Sequence, residues 1–123
     1  MTSGRIQSFE EFWPFYIGEH RLPLVRALHY LGTSMGTLTM VLAVLRGPLW
    51  LAPIALVLGY GPAWVGHFFI EQNKPASFKY PLWSLRADYK MLWLAARGRM
   101  SAEVTRLYGS PAPRKDAPLL VRT

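Results

Sequence analysis

The chain has 123 residues, of which 51% are apolar and 14% aromatic, yet its formal net charge is +7. This length predicts one domain, and the lack of cysteine excludes disulfides, zinc–thiolate sites and iron–sulfur clusters. Any metal would need histidine and carboxylate ligands, which suit iron, zinc, copper or manganese. Nucleic acid is not an expected partner, because the basic residues flank long apolar runs, a pattern typical of the cytoplasmic side of a membrane.

The first predicted element is an amphipathic helix over residues 8–20. Ser8 and Glu11 have the spacing of a capping box. Aromatic residues three and four apart form one face, which consists of Phe9, Phe12, Trp13 and Tyr16. Such a face suits either a membrane interface or packing on the rest of the protein. The first 20 residues contain no apolar core, so we expect membrane insertion to use an internal segment.

Two long apolar helices are predicted next, over residues 24–45 and 49–72, with a tight turn between them. Residues 47–70 contain no Asp, Glu, Lys or Arg, and a helix of that length is about 36 Å long, enough to cross a bilayer. Gly32 and Gly36 lie four positions apart on one face, which favours close contact with the second helix over contact with another chain.

The C-terminal part is more polar. Residues 80–97 form a third helical pattern with charged residues off its apolar face, namely Arg86, Asp88, Lys90 and Arg97. It suits an interfacial helix, a helix packed across the ends of the hairpin, or a third span. A short helix over 101–108 ends at Gly109, and prolines with mixed charge predict a flexible tail over 109–123. We therefore expect one domain over residues 1–108.

The predicted fold class is all-α: an integral membrane helical hairpin with flanking amphipathic or interfacial helices, about four main helices in total. Three arginines precede the first span, ten basic residues follow the second, and the connecting turn has only Arg46. This distribution predicts that both termini are cytoplasmic. We expect a multi-pass protein of the cell inner membrane.

The chain has three histidines, His20, His29 and His67. An antiparallel hairpin brings the start of the first span and the end of the second together, so all three can converge near the cytoplasmic interface. Each alone has a structural explanation, as a surface residue or as a satisfied polar residue at a helix end. An ionisable residue within a membrane span is costly and usually functional. Convergence of the three therefore favours a metal site.

Glu71 follows His67 by four residues, which places both on one face of an α-helix. Its carboxylate could be a metal ligand, a group that orients the imidazole, or the ion-pair partner of Lys74 or Arg86. Histidine and carboxylate ligands with open positions are the donor set of non-haem iron(II) oxygenases, although spacing does not distinguish iron from zinc.

Three short motifs resemble those of the Mpo1-like family. They are Tyr16-x-x-x-His20-x-x-Pro23, Arg26-x-x-His29 and Gly66-His67-x-x-x-Glu71-x-x-Lys74-Pro75-Ala76. The resemblance covers residues 12 to about 97. Within this range the sequence is similar to the short bacterial branch of the family. The characterised fungal member of this family is a dioxygenase of 2-hydroxy fatty acids.

The resemblance implies a membrane-bound iron(II) dioxygenase. A 2-hydroxy fatty acid and dioxygen would give, by α-oxidation, a fatty acid one carbon shorter. The implied iron ligands are His20, His29 and His67, which with Glu71 form the catalytic set. Arg26 or Lys74 would pair with the substrate carboxylate.

Two other classes stay open: a non-catalytic membrane module that binds lipid or a partner, and a haem-binding membrane protein with two histidines as axial ligands. Iron without a Soret band would favour the dioxygenase, a Soret band the haem protein, and no metal the module. The expected partners are membrane lipid, the 2-hydroxy acid and dioxygen, and the sequence leaves a homo-oligomer open.

Overall fold

The computed structural model describes residues 5–121, and every regular element in that range is helical. The five α-helices and two short turns are α1 (Phe9–Gly18), α2 (Pro23–Leu45), α3 (Leu51–Val65), the π segment (Gly66–Glu71), a 3₁₀ turn (Ala76–Phe78), α4 (Pro81–Ala96) and α5 (Met100–Tyr108). The all-α prediction is confirmed.

α1 begins where the sequence predicted and packs by its aromatic face. The Ser8 Oγ accepts a hydrogen bond from the Glu11 amide at 3.2 Å, which is the predicted N-cap. The Phe12 ring lies 5.3 Å from the ring of Tyr80 and 5.7 Å from that of Trp83, centroid to centroid. Because this aromatic face is buried, the packing alternative is the observed one.

α2 and α3 form an antiparallel hairpin with a contact that only glycine allows. A Cβ on Gly32 would lie 2.5 Å from the carbonyl oxygen of Gly59, and one on Gly36 would lie 2.9 Å from the Cα of Gly59 and 3.0 Å from the Ala55 oxygen. The glycine pair therefore contacts the next helix of its own chain, as predicted. Since the partner numbers fall as the α2 numbers rise, the two helices run in opposite directions.

Two segments are long and apolar enough to cross a membrane by length and composition. Pro23–Leu45 has 23 residues and Leu51–Glu71 has 21, each with a mean hydropathy of 1.4. These lengths correspond to about 34 and 32 Å of helix, against a hydrocarbon core of about 30 Å. α4 has 16 residues, fewer than the roughly 17 that a span needs, which argues against a third span.

The chain after α5 lies against the helices. α5 ends at Gly109, which has a left-handed φ of 89°. Beyond it, the Leu120 amide donates to the Leu107 carbonyl at 2.8 Å, and the Arg26 guanidinium donates to the Pro111 carbonyl at 2.7 Å. No local pattern predicts these contacts in the expected tail. Residues 1–4 and 122–123 lie outside the described range.

Candidate metal centre

Three buried histidines meet between the α1–α2 turn and the π segment. His20 follows α1, His29 lies in the second turn of α2, and His67 is the second residue of the π segment. Their exposed fractions are 1%, 4% and 2%. The Nε2 of His29 lies 2.9 Å from that of His20 and 3.2 Å from that of His67. The structure thus brings together the three side chains that the sequence predicted to converge.

Helical carbonyls hold the first two rings. The Nδ1 of His20 lies 2.5 Å from the Tyr16 carbonyl oxygen, and the Nδ1 of His29 lies 2.8 Å from that of Val25. A carbonyl oxygen only accepts hydrogen bonds, so both Nδ1 atoms carry the proton. In the neutral imidazoles, each Nε2 is then left with a free lone pair.

Asn73 orients the third ring. Its Oδ1 lies 2.7 Å from the Nδ1 of His67, while its Nδ2 donates to the Glu19 carbonyl at 3.2 Å and to the Glu19 carboxylate at 3.0 Å. The two acceptors on Nδ2 settle the orientation of the amide, so His67 also carries its proton on Nδ1. Sequence reasoning missed Asn73, because it lies six positions after His67. The left-handed Gln72, with φ of 58°, turns the chain back, and no helical spacing signals this.

Three lone pairs facing one another are a ligand set for a cation. Without a cation or an added proton, the two nitrogen lone pairs of each close Nε2 pair would face and repel each other. Burial, with the neighbouring histidines adding to it, holds the pKa of His20 well below its usual value, so a proton is disfavoured there. Metal–nitrogen distances of about 2.1 Å at a right angle would place two ligand nitrogens about 3.0 Å apart. The observed 2.9 and 3.2 Å fit that spacing.

A small cavity touches all three rings. It has a volume of about 20 Å³, enough for about one water-sized species. Ser84 of α4 lines it, and the Ser84 hydroxyl is the one buried side-chain polar atom without a hydrogen-bond partner in the described part of the chain. An unpaired buried hydroxyl is expected where a ligand or water binds. The donor set and the cavity therefore fit a metal ion with a small ligand beside it.

Asp88 of α4 lines the same cavity, one helical turn after Ser84. Its carboxylate accepts a hydrogen bond from the Tyr16 hydroxyl, and the Tyr16 ring stacks on His20 with centroids 4.1 Å apart. Burial raises the pKa of Asp88 to about 7. The sequence pattern had placed Asp88 with the charges away from the packed face of this helix. It was missed because its neighbours in space come from α1, far away in sequence.

Glu71 lies outside the group of converging ligand atoms. It is 3% exposed, and its Oε2 accepts hydrogen bonds from the amides of Arg21 at 2.6 Å and Leu22 at 3.1 Å. In the described part of the chain no basic side chain lies within ion-pair distance of it, so the ion-pair alternative does not hold. Glu71 instead ties the π segment to the α1–α2 turn.

The two basic side chains expected to contact a substrate lie elsewhere. Arg26 is 3% exposed, and its Nη1 donates to the carbonyls of His20 at 2.8 Å and Arg21 at 2.9 Å. Lys74 is exposed. Neither lines the histidine cavity, and pairing of either with a substrate carboxylate stays a prediction.

Comparison with known proteins gives a family and nothing finer. No curated protein and no solved structure matches the chain. The family model described as "2-hydroxy-palmitic acid dioxygenase Mpo1-like" matches residues 6–100. That range contains all three histidines, Asn73 and both cavity residues of α4. The chain belongs to the Mpo1-like family.

Proposed function

We propose that this protein is a membrane-bound iron(II) dioxygenase that shortens 2-hydroxy fatty acids by one carbon. The observation that carries the proposal is the set of three buried Nε2 lone pairs at metal-ligand spacing, in a chain whose family is described by this reaction. The haem alternative fits poorly, because the cavity beside the rings holds about 20 Å³.

The surface of the hairpin supports a membrane location. Only 22% of the apolar window of each candidate span is buried within the protein, whereas a core helix of a soluble protein would be mostly buried. Large apolar side chains point outward along both spans, including Leu24, Leu31, Leu38, Val41, Leu42, Val44, Leu45, Ile54, Val57, Val65 and Phe69. A patch of this size in water would be an interaction surface. We place both termini in the cytoplasm.

The orientation has a direct test. A pair of reporter fusions at residues 47 and 110 is expected to report opposite sides of the inner membrane, because the connecting turn and the basic C-terminal part lie at opposite ends of the hairpin. Reporters that give the same side would rule out the two-span topology, whatever the metal chemistry is.

The chain supplies the surroundings of the reaction. Iron(II) bound there would supply the redox chemistry that dioxygen requires. Three neutral imidazoles leave the charge of the cation uncompensated, which favours an anionic ligand such as the carboxylate of a 2-hydroxy acid. The acceptors on each Nδ1 keep the three Nε2 atoms turned toward the cavity. The Ser84 hydroxyl is free to bond a ligand there, and burial of the rings keeps bulk water away.

Substitution of each histidine tests the proposal. Glutamine keeps most of the volume of the imidazole, so His20→Gln, His29→Gln and His67→Gln are expected to insert and stay helical while losing iron and activity on 2-hydroxypalmitate. Double substitutions are expected to add little, because ligands of one ion act together. Full iron content and activity in His20→Gln would contradict the three-histidine site. A Soret band in the purified protein would favour haem, and absence of any metal a non-catalytic module.

A further inference from the structure

A second, larger cavity continues from the histidine cavity. Its volume is about 280 Å³. Ligand pockets typically range from about 300 to 1,000 Å³, so this cavity lies near the lower end of that range. Four residues line both cavities, namely Thr33, Gly59, Tyr60 and Asp88. The two spaces therefore meet at one junction between α2, α3 and α4.

This second cavity, which we call the groove, runs along α2. Beyond the junction its α2 wall is formed by Gly36, Thr37 and Met40, and α4 contributes Leu85 and Tyr89. From Thr33 to Met40 the helix rises by about 10 Å, about a third of the hydrocarbon thickness of about 30 Å. The groove is open because glycines and alanine, at the α2–α3 contact, leave no side chains to fill it.

Polarity changes along the combined space. The histidine end has the three Nε2 atoms, the free Ser84 hydroxyl and the Asp88 carboxyl group. Beyond the junction the lining includes the apolar side chains of Met40, Ala55 and Leu56. A ligand that matches both ends has one small polar head and one apolar tail. A phospholipid matches less well, because its head group is far larger than that of a 2-hydroxy acid and the histidine cavity is small.

We propose that the groove holds the acyl tail of the 2-hydroxy fatty acid whose head group lies at the histidines. This inference rests on the proposed function for the identity of the head group. The groove lies between two segments that are apolar enough to span a membrane, so a fatty acid can enter it sideways from the bilayer. Since the groove covers about 10 Å, the end of a long tail stays in lipid.

Bulk placed in the groove is expected to discriminate by tail length. Thr37 lines the groove about 6 Å along α2 from the junction, whereas Leu38 is 63% exposed on the outer face of the same helix. Thr37→Trp is expected to lower kcat/KM for 2-hydroxypalmitate at least about tenfold, because it displaces several methylenes. It should leave 2-hydroxybutanoate turnover within about twofold of the wild type.

Two controls separate bulk from other effects. Leu38→Trp adds the same ring to the same helix outside the groove and should change neither substrate. Thr37→Val removes the hydroxyl that bonds the Tyr89 hydroxyl but keeps the volume, so its effect measures the lost hydrogen bond without added bulk. Iron content has to match in all variants. Equal 2-hydroxypalmitate turnover in Thr37→Trp and Leu38→Trp would overturn the groove proposal and leave the dioxygenase proposal standing.

A labelling experiment gives a result that does not depend on turnover. The probe is 2-hydroxypalmitate with a diazirine in mid-tail, cross-linked in membranes and mapped by mass spectrometry. Labels on Met40, Leu56 or Leu85 that unlabelled 2-hydroxypalmitate competes away, and that Thr37→Trp abolishes, would support the groove even if turnover is absent. Labels only on outward-facing residues, or labels that the unlabelled acid does not displace, would overturn it.

Discussion

Substitutions of Asn73 test most directly how the three histidines of the candidate metal site are held. Its Oδ1 is the acceptor of the His67 Nδ1 proton, and its Nδ2 makes two hydrogen bonds to Glu19. Asn73→Ala removes all three bonds, while Asn73→Asp keeps the acceptor and loses both donors. The two variants therefore separate the orientation of the ring from the attachment of the α1 end.

The expected magnitudes differ for metal affinity and for stability. Loss of the group that orients a metal-bound histidine costs about 10- to 100-fold in affinity, or about 1.4–2.7 kcal/mol, so Asn73→Ala should lose that much. Asn73→Asp should keep affinity within about threefold, since a carboxylate also orients an imidazole. Three hydrogen bonds at about 1 kcal/mol each give up to about 3 kcal/mol of unfolding free energy in the alanine variant.

Asn73→Asp is expected to lose stability as well, because it places a second carboxylate beside Glu19, whose pKa burial already raises. The assay is competition for iron(II) with a chromophoric chelator, without oxygen and in detergent, next to thermal unfolding of the same samples. Lys74→Ala, at the exposed neighbouring position, is the matched control and should change neither quantity. Equal affinity losses in the alanine and aspartate variants would refute the orienting role.

Three further outcomes are expected. Since the folded-state pKa of Asp88 is raised from 3.8 to about 7, its protonated form stabilises the fold below about pH 4 and that contribution is lost as pH rises through 7. Asp88→Asn should therefore raise the free energy of unfolding at pH 8 by at most about 4 kcal/mol and gain nothing at pH 4; a constant difference between pH 4 and 8 would contradict this. Gly36→Ala should destabilise by about 1–3 kcal/mol because its Cβ would meet the Gly59 backbone, whereas Gly61→Ala, with nothing within 4 Å, should be neutral or stabilising in thermal unfolding. Ser84→Ala should leave the melting temperature unchanged, since its hydroxyl has no partner, and raise the KM for 2-hydroxypalmitate about 2- to 10-fold; an unchanged KM would remove Ser84 from substrate binding.

The sequence predicted the features that follow from the helical periodicity of its residues and from the antiparallel course of the two long helices. Apolar runs gave the two long helices, and an antiparallel hairpin necessarily brings its two free ends together. His29 and His67 therefore met as expected. Small residues four apart gave the contact at Gly32 and Gly36 in the same way. None of these inferences needs knowledge of side-chain packing.

The role of Glu71 beside His67 could not be read from their spacing. Residues four apart share a face of an α-helix, but this does not say what the carboxylate contacts. The structure has a π segment over Gly66–Glu71, in which the His67 imidazole lies against His29 and the Glu71 carboxylate accepts from the amides of the α1–α2 turn. π turns are rare and often occur at functional sites. No residue pattern in this segment predicts one.

Arg26 shows the second limit. Its guanidinium bonds a carbonyl 85 positions away, at Pro111. A local pattern cannot contain that partner, and the contact of Arg26 with a substrate stays a prediction. Asp88 and Tyr16 are separated by 72 positions, and Asp88 was assigned to the polar side of its helix for the same reason.

The spacing of the three histidines along the chain sets an order of events during synthesis. His29 follows His20 by nine residues, but His67 follows His29 by 38. At an elongation rate of about 5–20 residues per second, the third ligand appears about 2–8 s after the second. A metal ion that needs all three Nε2 atoms cannot be held until the whole hairpin has been made and closed. On the proposed function, binding of the metal therefore follows closure of the hairpin, and a truncated chain that ends inside α3 has only two of the three ligands.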